Sequence, residues 1–175
     1  MLDRDVTNAD RAALGRAALE YYEAARAMVG HDPDEPVDAE LALAACAHGA
    51  SGDRRDPVRA EDLREDAEWT AEVIRDIVAD LFHTADGAAT PQLLLRAATA
   101  LEDADDAAQA EAWRRAGPGG RRFALFLTAV RHALVRLAEM SGPDADSLLD
   151  DARAVFAEEV EEERFAAATA RLRSA

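Results

Sequence analysis

Six arginines, Arg114, Arg115, Arg121, Arg122, Arg131 and Arg136, fall within residues 112–138 of a 175-residue chain, and that stretch holds no carboxylate. The chain as a whole is acidic, with 36 Asp and Glu against 20 Arg and no Lys, for a net charge of -16. Guanidinium groups hold carboxylate, phosphate or sulfate through paired N–H donors. Between the first two arginine pairs runs Gly117-Pro118-Gly119-Gly120. Free N–H groups at a helix start beside Arg121 and Arg122 would make an anion site, with Arg114 and Arg115 closing it from the other side. The turn lacks the G-K-[ST] of a Walker loop, and no strand precedes it. The competing reading pairs these arginines with the chain's own carboxylates, such as those of 158–163.

A second face of the same stretch carries Thr128, His132 and Arg136, with Arg131 to one side. His132 is the candidate general base there, and the arginines would stabilise charge on an anionic leaving group. Leu125 and Val135 on that side imply a face that is not fully solvated, packed on an acidic helix, lining a polar pocket or meeting another subunit.

Other spacings point to less. Asp76, Asp80 and His83 stand at i, i+4 and i+7, a geometry a metal could use. They lie opposite Ile74, Ile77 and Leu81, so the expectation is a solvated charge cluster and no metal site. No E-x-x-H occurs, which excludes a di-iron bundle of the usual pattern. Cys46 and His48, two apart, point away from each other on a helix, and Cys46 reads as a small buried thiol. No cofactor is implied.

Positioning such residues falls to helices. About a quarter of the chain is alanine, the best helix former, and β-branched and aromatic residues are scarce. The expected fold is all-α, a single-domain bundle of about six helices over 1–175. A chain of this size is long enough for a core, since a 150-residue domain buries roughly 70% of its unfolded surface. Thr7 and Asp10 form a capping box for a first helix over 7–29, with Leu14, Ala18, Tyr21, Ala25 and Met28 inward. Turns are expected over 30–36, 49–57, near Gly87, over 117–120 and over 141–144, with Asp56-Pro57 starting a long third helix over 56–84. Thr90-Pro91 starts a fourth over 90–115. The fifth presents Phe123, Phe126, Leu127, Val130, Leu134 and Leu137 on one arc.

The last helix begins with Leu148, Leu149, Ala152, Val155, Phe156 and Val160 in register. Past the glutamates of 158–163, Phe165 and Leu172 project to a different side, so 161–175 reads as a projecting or partner-docking arm.

The absence of Lys, with Ala, Arg, Asp and Gly in excess, reflects GC-rich coding and points to a bacterial source. Strong acidity argues against nucleic-acid and anionic-membrane partners. No apolar run nears the roughly 20 residues of a membrane helix and the N-terminus lacks a signal-peptide pattern, so the expected location is cytoplasmic. One Cys excludes an internal disulfide. Three functional expectations follow. The first is a small acidic accessory or interaction protein, a subunit of a homo- or hetero-oligomer. The second is a small enzyme, or enzyme subunit, acting on an anionic metabolite in a biosynthetic pathway. The third is an acidic DNA mimic or regulator.

Overall fold

Thr7 and Asp10 close the first turn of α1 (Asn8–Val29). The Asp10 carboxylate accepts from the Thr7 N–H at 3.0 Å, and the Thr7 hydroxyl accepts from the Asp10 N–H at 3.2 Å. This reciprocal cap satisfies donors that a helix start leaves open. The computed structural model describes residues 6–29, 39–52, 57–85, 89–102, 106–139 and 144–174. After α1 come α2 (Ala39–Ser51), α3 (Ala60–Leu63), α4 (Ala67–Ala85), α5 (Pro91–Glu102), α6 (Asp106–Glu139) and α7 (Ala145–Ser174). The chain is a single all-α domain, with no strand among the described residues. The expected turn over 30–36, Gly87, and the Arg54, Arg55 and Asp56 part of the 49–57 loop lie outside the described residues.

Helix α4 is the centre of the bundle: α1, α2, α6 and α7 all pack on it, while α5 lies mainly on α6. Its Val73, Ile74, Ile77, Val78, Leu81 and Phe82 are all buried, as its periodicity predicts. They join Leu19, Tyr22, Leu63, Leu94, Phe126, Leu127 and Leu134 in one core. Each such large side chain contributes roughly 1.5–3 kcal/mol when removed from water. Small residues supply the rest by letting helices close up. A Cβ added to Gly15 of α1 would collide with the backbone of Asp80 and Leu81 in α4. One added to Gly49 would sit 2.9 Å from the Ala18 Cβ and 3.0 Å from Ile77 Cδ1, so α2 also lies close on α1 and α4, though here against side chains and less tightly.

The structure corrects several expectations. Helix α2 runs through Gly49 and Ala50 to Ser51, so the loop begins at Gly52. The long third helix is two pieces: Pro57 precedes any helix, α3 ends at Leu63, and α4 starts afresh at Ala67. The restart has its own cap, because Asp66 Oδ1 accepts from the Trp69 N–H at 3.0 Å while the Thr70 hydroxyl donates to the Leu63 carbonyl. Inward-facing Tyr is Tyr22, not Tyr21: Tyr22 is 1% exposed and packs on Phe126, whereas Tyr21 stacks on His48 at 4.8 Å. Met28, expected in the same stripe, is 84% exposed.

Thr90 and Pro91 do start α5, with the Thr90 hydroxyl accepting from the Leu93 N–H at 3.3 Å, but the helix expected to reach 115 ends at Glu102, and residues 106–116 open α6. Likewise Asp144 caps α7 through the Ser147 N–H at 3.0 Å. In α6 the helix is interrupted at Gly117 (φ 66°, ψ 177°) and resumes with Pro118 at its first position, a place that suits a residue with no N–H. No helix among the described residues is long and apolar enough to cross a membrane.

Candidate functional site

The arginines of α6 diverge. Arg114 and Arg115 both turn back one helical turn to Glu111, at 2.5 and 2.7 Å. Arg122 forks onto Glu23 of α1, and Glu20 adds to the attraction that raises its pKa above the ordinary arginine range. Arg131 lies 3.1 Å from Asp146 of α7 and 3.2 Å from the Thr99 hydroxyl of α5. Four of the six are thus held by acids on three separate elements. Arg121 and His132 are half-buried, and Arg136 is exposed. Thr128 is buried, its hydroxyl within reach of the Ala124 carbonyl at 2.9 Å and the Ala98 carbonyl at 3.2 Å, which ties α6 to α5. The carboxylates that hold Arg114, Arg115, Arg122 and Arg131 in these contacts are those of Glu111, Glu23 and Asp146.

Of the polar cluster that the sequence placed in solvent, Asp76 is exposed as expected, but Asp80 and His83 are buried. Asp80 and His83 are each 8% exposed, because α7 and α1 both pack on α4 there: Glu159 of α7 meets His83, and Gly15 of α1 lies against the Asp80 backbone. His83 Nε2 lies 2.9 Å from Glu159 Oε2 of α7. Arg11 Nε of α1 takes the other oxygen of the same carboxylate at 2.7 Å. The His83 ring packs on Phe156 at 4.6 Å, and Phe156 meets Phe82 edge-on at 6.0 Å. The Thr84 hydroxyl donates to the Ala12 carbonyl at 2.8 Å, binding the same end of α4 to α1.

Asp80 carries the electrostatic cost of this arrangement. Burial, then Glu159, then Asp76 push its carboxyl up to about 7, with Arg11 pulling the other way. A carboxyl near 7 exchanges its proton around neutral pH, which is the property that general acids and bases share. Here it lies beside the close approach of α1 at Gly15 and within the field of Glu159 of α7, which disfavours its ionised form. Among the described residues no group of three or more His, Cys, Asp or Glu is arranged to hold a metal ion. Cys46 is fully buried and burial alone pushes its thiol up to about 12, so the thiol is inert.

Beyond this junction α7 runs on. Leu148, Leu149 and Ala152 are buried and Val155, Phe156, Glu159 and Val160 half-buried, but from Glu161 to the end of the described helix nearly every side chain is exposed. Phe165 is 75% and Leu172 81% exposed, among the largest apolar exposures in the chain. With Ala168 and Thr169 between them they fall at i, i+3, i+4 and i+7, one continuous stripe over two turns. Glu161, Glu162 and Glu163 lie at the base of this segment, and Arg171 and Arg173 near its tip. Arg164 bridges back to Glu161 at 2.9 Å.

In comparisons with known proteins, the chain matches no family model, no curated protein and no solved structure.

Proposed function

We propose that the chain is a small acidic interaction or accessory protein that docks another protein chain through the end of α7. One observation carries this reading: Phe165 and Leu172 stand in solvent on the same face of a helix whose preceding turns are locked to the bundle by His83 and Arg11. Single exposed apolar residues need no explanation, but two large ones aligned on one helix face have the spacing of an amphipathic helix that a partner covers. The reading of an enzyme acting on an anionic metabolite has less support, because Arg114, Arg115, Arg122 and Arg131 already meet carboxylates of the chain.

A photo-crosslinking phenylalanine analogue placed at Phe165 in the producing cells tests the proposal. The expected result is a discrete adduct heavier than the chain, whether with itself or another protein, and its yield collapses when L172E is added. Absence of any such adduct, with the protein present and folded, would remove the docking reading.

A further inference from the structure

We propose that the occupant of the α7 stripe is a second copy of this chain, its arm lying antiparallel across a two-fold axis between residues 168 and 169. This rests on the docking reading and names its partner. The order along the stripe is large, small, small, large: Phe165, Ala168, Thr169, Leu172. Reversed about its midpoint the order is the same. In an antiparallel pair Phe165 therefore lies beside Leu172 of the other copy, and Leu172 beside the other Phe165. Ala168 and Thr169 meet in the middle, where small side chains let the helix axes approach. A self-complementary patch of this kind closes as an isologous dimer with no surface left to propagate.

Charge selects the same direction. Glu161, Glu162 and Glu163 form the base of the arm, while Arg171 and Arg173 lie near its tip. With this axis, antiparallel pairing sets Arg173 level with Arg164 of the other copy and within one turn of its Glu162 and Glu163, so each basic tip meets a base that stays net negative. Parallel pairing would stack base on base. The net charge of -16 adds a second argument, because two such bodies repel. With the axis between 168 and 169, the two Val160 positions, where packing on the bundle ends, stand about 17 residues or roughly 25 Å apart along the pair. That exceeds the Debye length of about 8 Å at physiological salt, so the bodies are screened from each other. A parallel pair would hold them side by side.

Two turns of helix cover much less than the roughly 800 Å² per partner of a standard stable interface. The dimer should accordingly be weak and reversible.

Light scattering across a concentration series, joined to disulfide trapping, tests the proposal on the full chain. The wild type should pass from monomer to dimer as concentration rises, and F165E/L172E should remain monomeric with an unchanged circular dichroism spectrum. Under a mild oxidant A168C should give a covalent dimer, since two copies of residue 168 flank the axis. E161C should not, because its two copies would stand about 15 residues, roughly 22 Å, apart. Cys46 is buried and does not compete for the oxidant. A wild type that is monomeric at every concentration, a dimer indifferent to F165E/L172E, or efficient self-crosslinking of E161C would each overturn the antiparallel second copy. A strict monomer that still gives a heavier adduct from position 165 in cells would leave the docking reading standing with a different occupant.

Discussion

His83 Nε2 stands 2.9 Å from Glu159 Oε2, and this contact joins the central helix to the last one at the point where the last one leaves the bundle. Arg11 holds the second oxygen of Glu159, so one carboxylate serves α1, α4 and α7 together. Beyond Val160 nearly every described side chain of α7 is exposed. The direction in which Phe165 and Leu172 face is therefore set by a buried polar contact and not by apolar packing around them.

Asp80 makes this junction pH-dependent. Its carboxyl is raised from 3.8 to about 7, so between those values the unfolded chain has lost a proton that the folded chain retains. Stability from this group is full below about pH 4, declines as pH rises, and levels off above about 7, a difference on the order of 4 kcal/mol. D80N removes the titration. It should match the wild type near pH 4 and melt several degrees higher at pH 8, since 1 kcal/mol corresponds to about 2–4 °C at this size. Thermal melts at a series of pH values measure it, and parallel curves for the two proteins would refute the assignment.

Glu159 is the second-largest cause of that shift, and E159Q should move the decline to lower pH. The same variant weakens the ion pair with Arg11, so it should also expose the start of the arm. Hydrogen exchange of amides in 155–160 should quicken relative to those of α4, which an unchanged pattern would contradict.

Gly15 is where α1 approaches α4 most closely. G15A gains up to about 1 kcal/mol of helix propensity but forces a methyl group into the Asp80 backbone, and overpacking of this kind typically costs about 1–3 kcal/mol or more. The expected outcome is a lower melting temperature in spite of the better helix former. A rise would mean that the helices separate freely.

Arg122 and Glu23 form a forked pair, but both side chains are more than a third exposed. R122A should therefore cost less than about 1 kcal/mol. Millimolar sulfate, phosphate or citrate should not raise the melting temperature beyond what equal ionic strength does. A specific shift with any of these, lost in R122A, would restore an anion-binding role for the arginines.

The all-α class, the Thr7–Asp10 box, the Thr90-Pro91 start and the buried arc of Phe123, Phe126, Leu127, Val130 and Leu134 were legible in the sequence because each depends on residues within one or two turns. Asp80 and His83 were not. Their periodicity puts them opposite the apolar stripe of α4, and it is α1, at Gly15, and the return of α7, some 75 residues later, that cover them. A central helix has two covered faces, and its own pattern reveals just one. Tyr21 and Tyr22 were misassigned for a related reason: either fits an apolar stripe, and the choice rests on where Phe126 and His48 arrive. The destinations of the arginines were illegible too, since 36 acids offer too many partners for spacing to choose among.

Gly117 presents a different kind of constraint. A Cβ there would meet nothing within 4 Å, yet φ of 66° with ψ of 177° is a conformation that essentially only glycine adopts among L-residues. G117A should thus destabilise the chain by about 1–3 kcal/mol without a single clash. Its mirror image would not. A D-alanine introduced by semisynthesis occupies these angles as comfortably as an L-residue occupies extended backbone, and should stabilise the kink by restricting the unfolded chain. What the bend in α6 demands of its residue is handedness, not room.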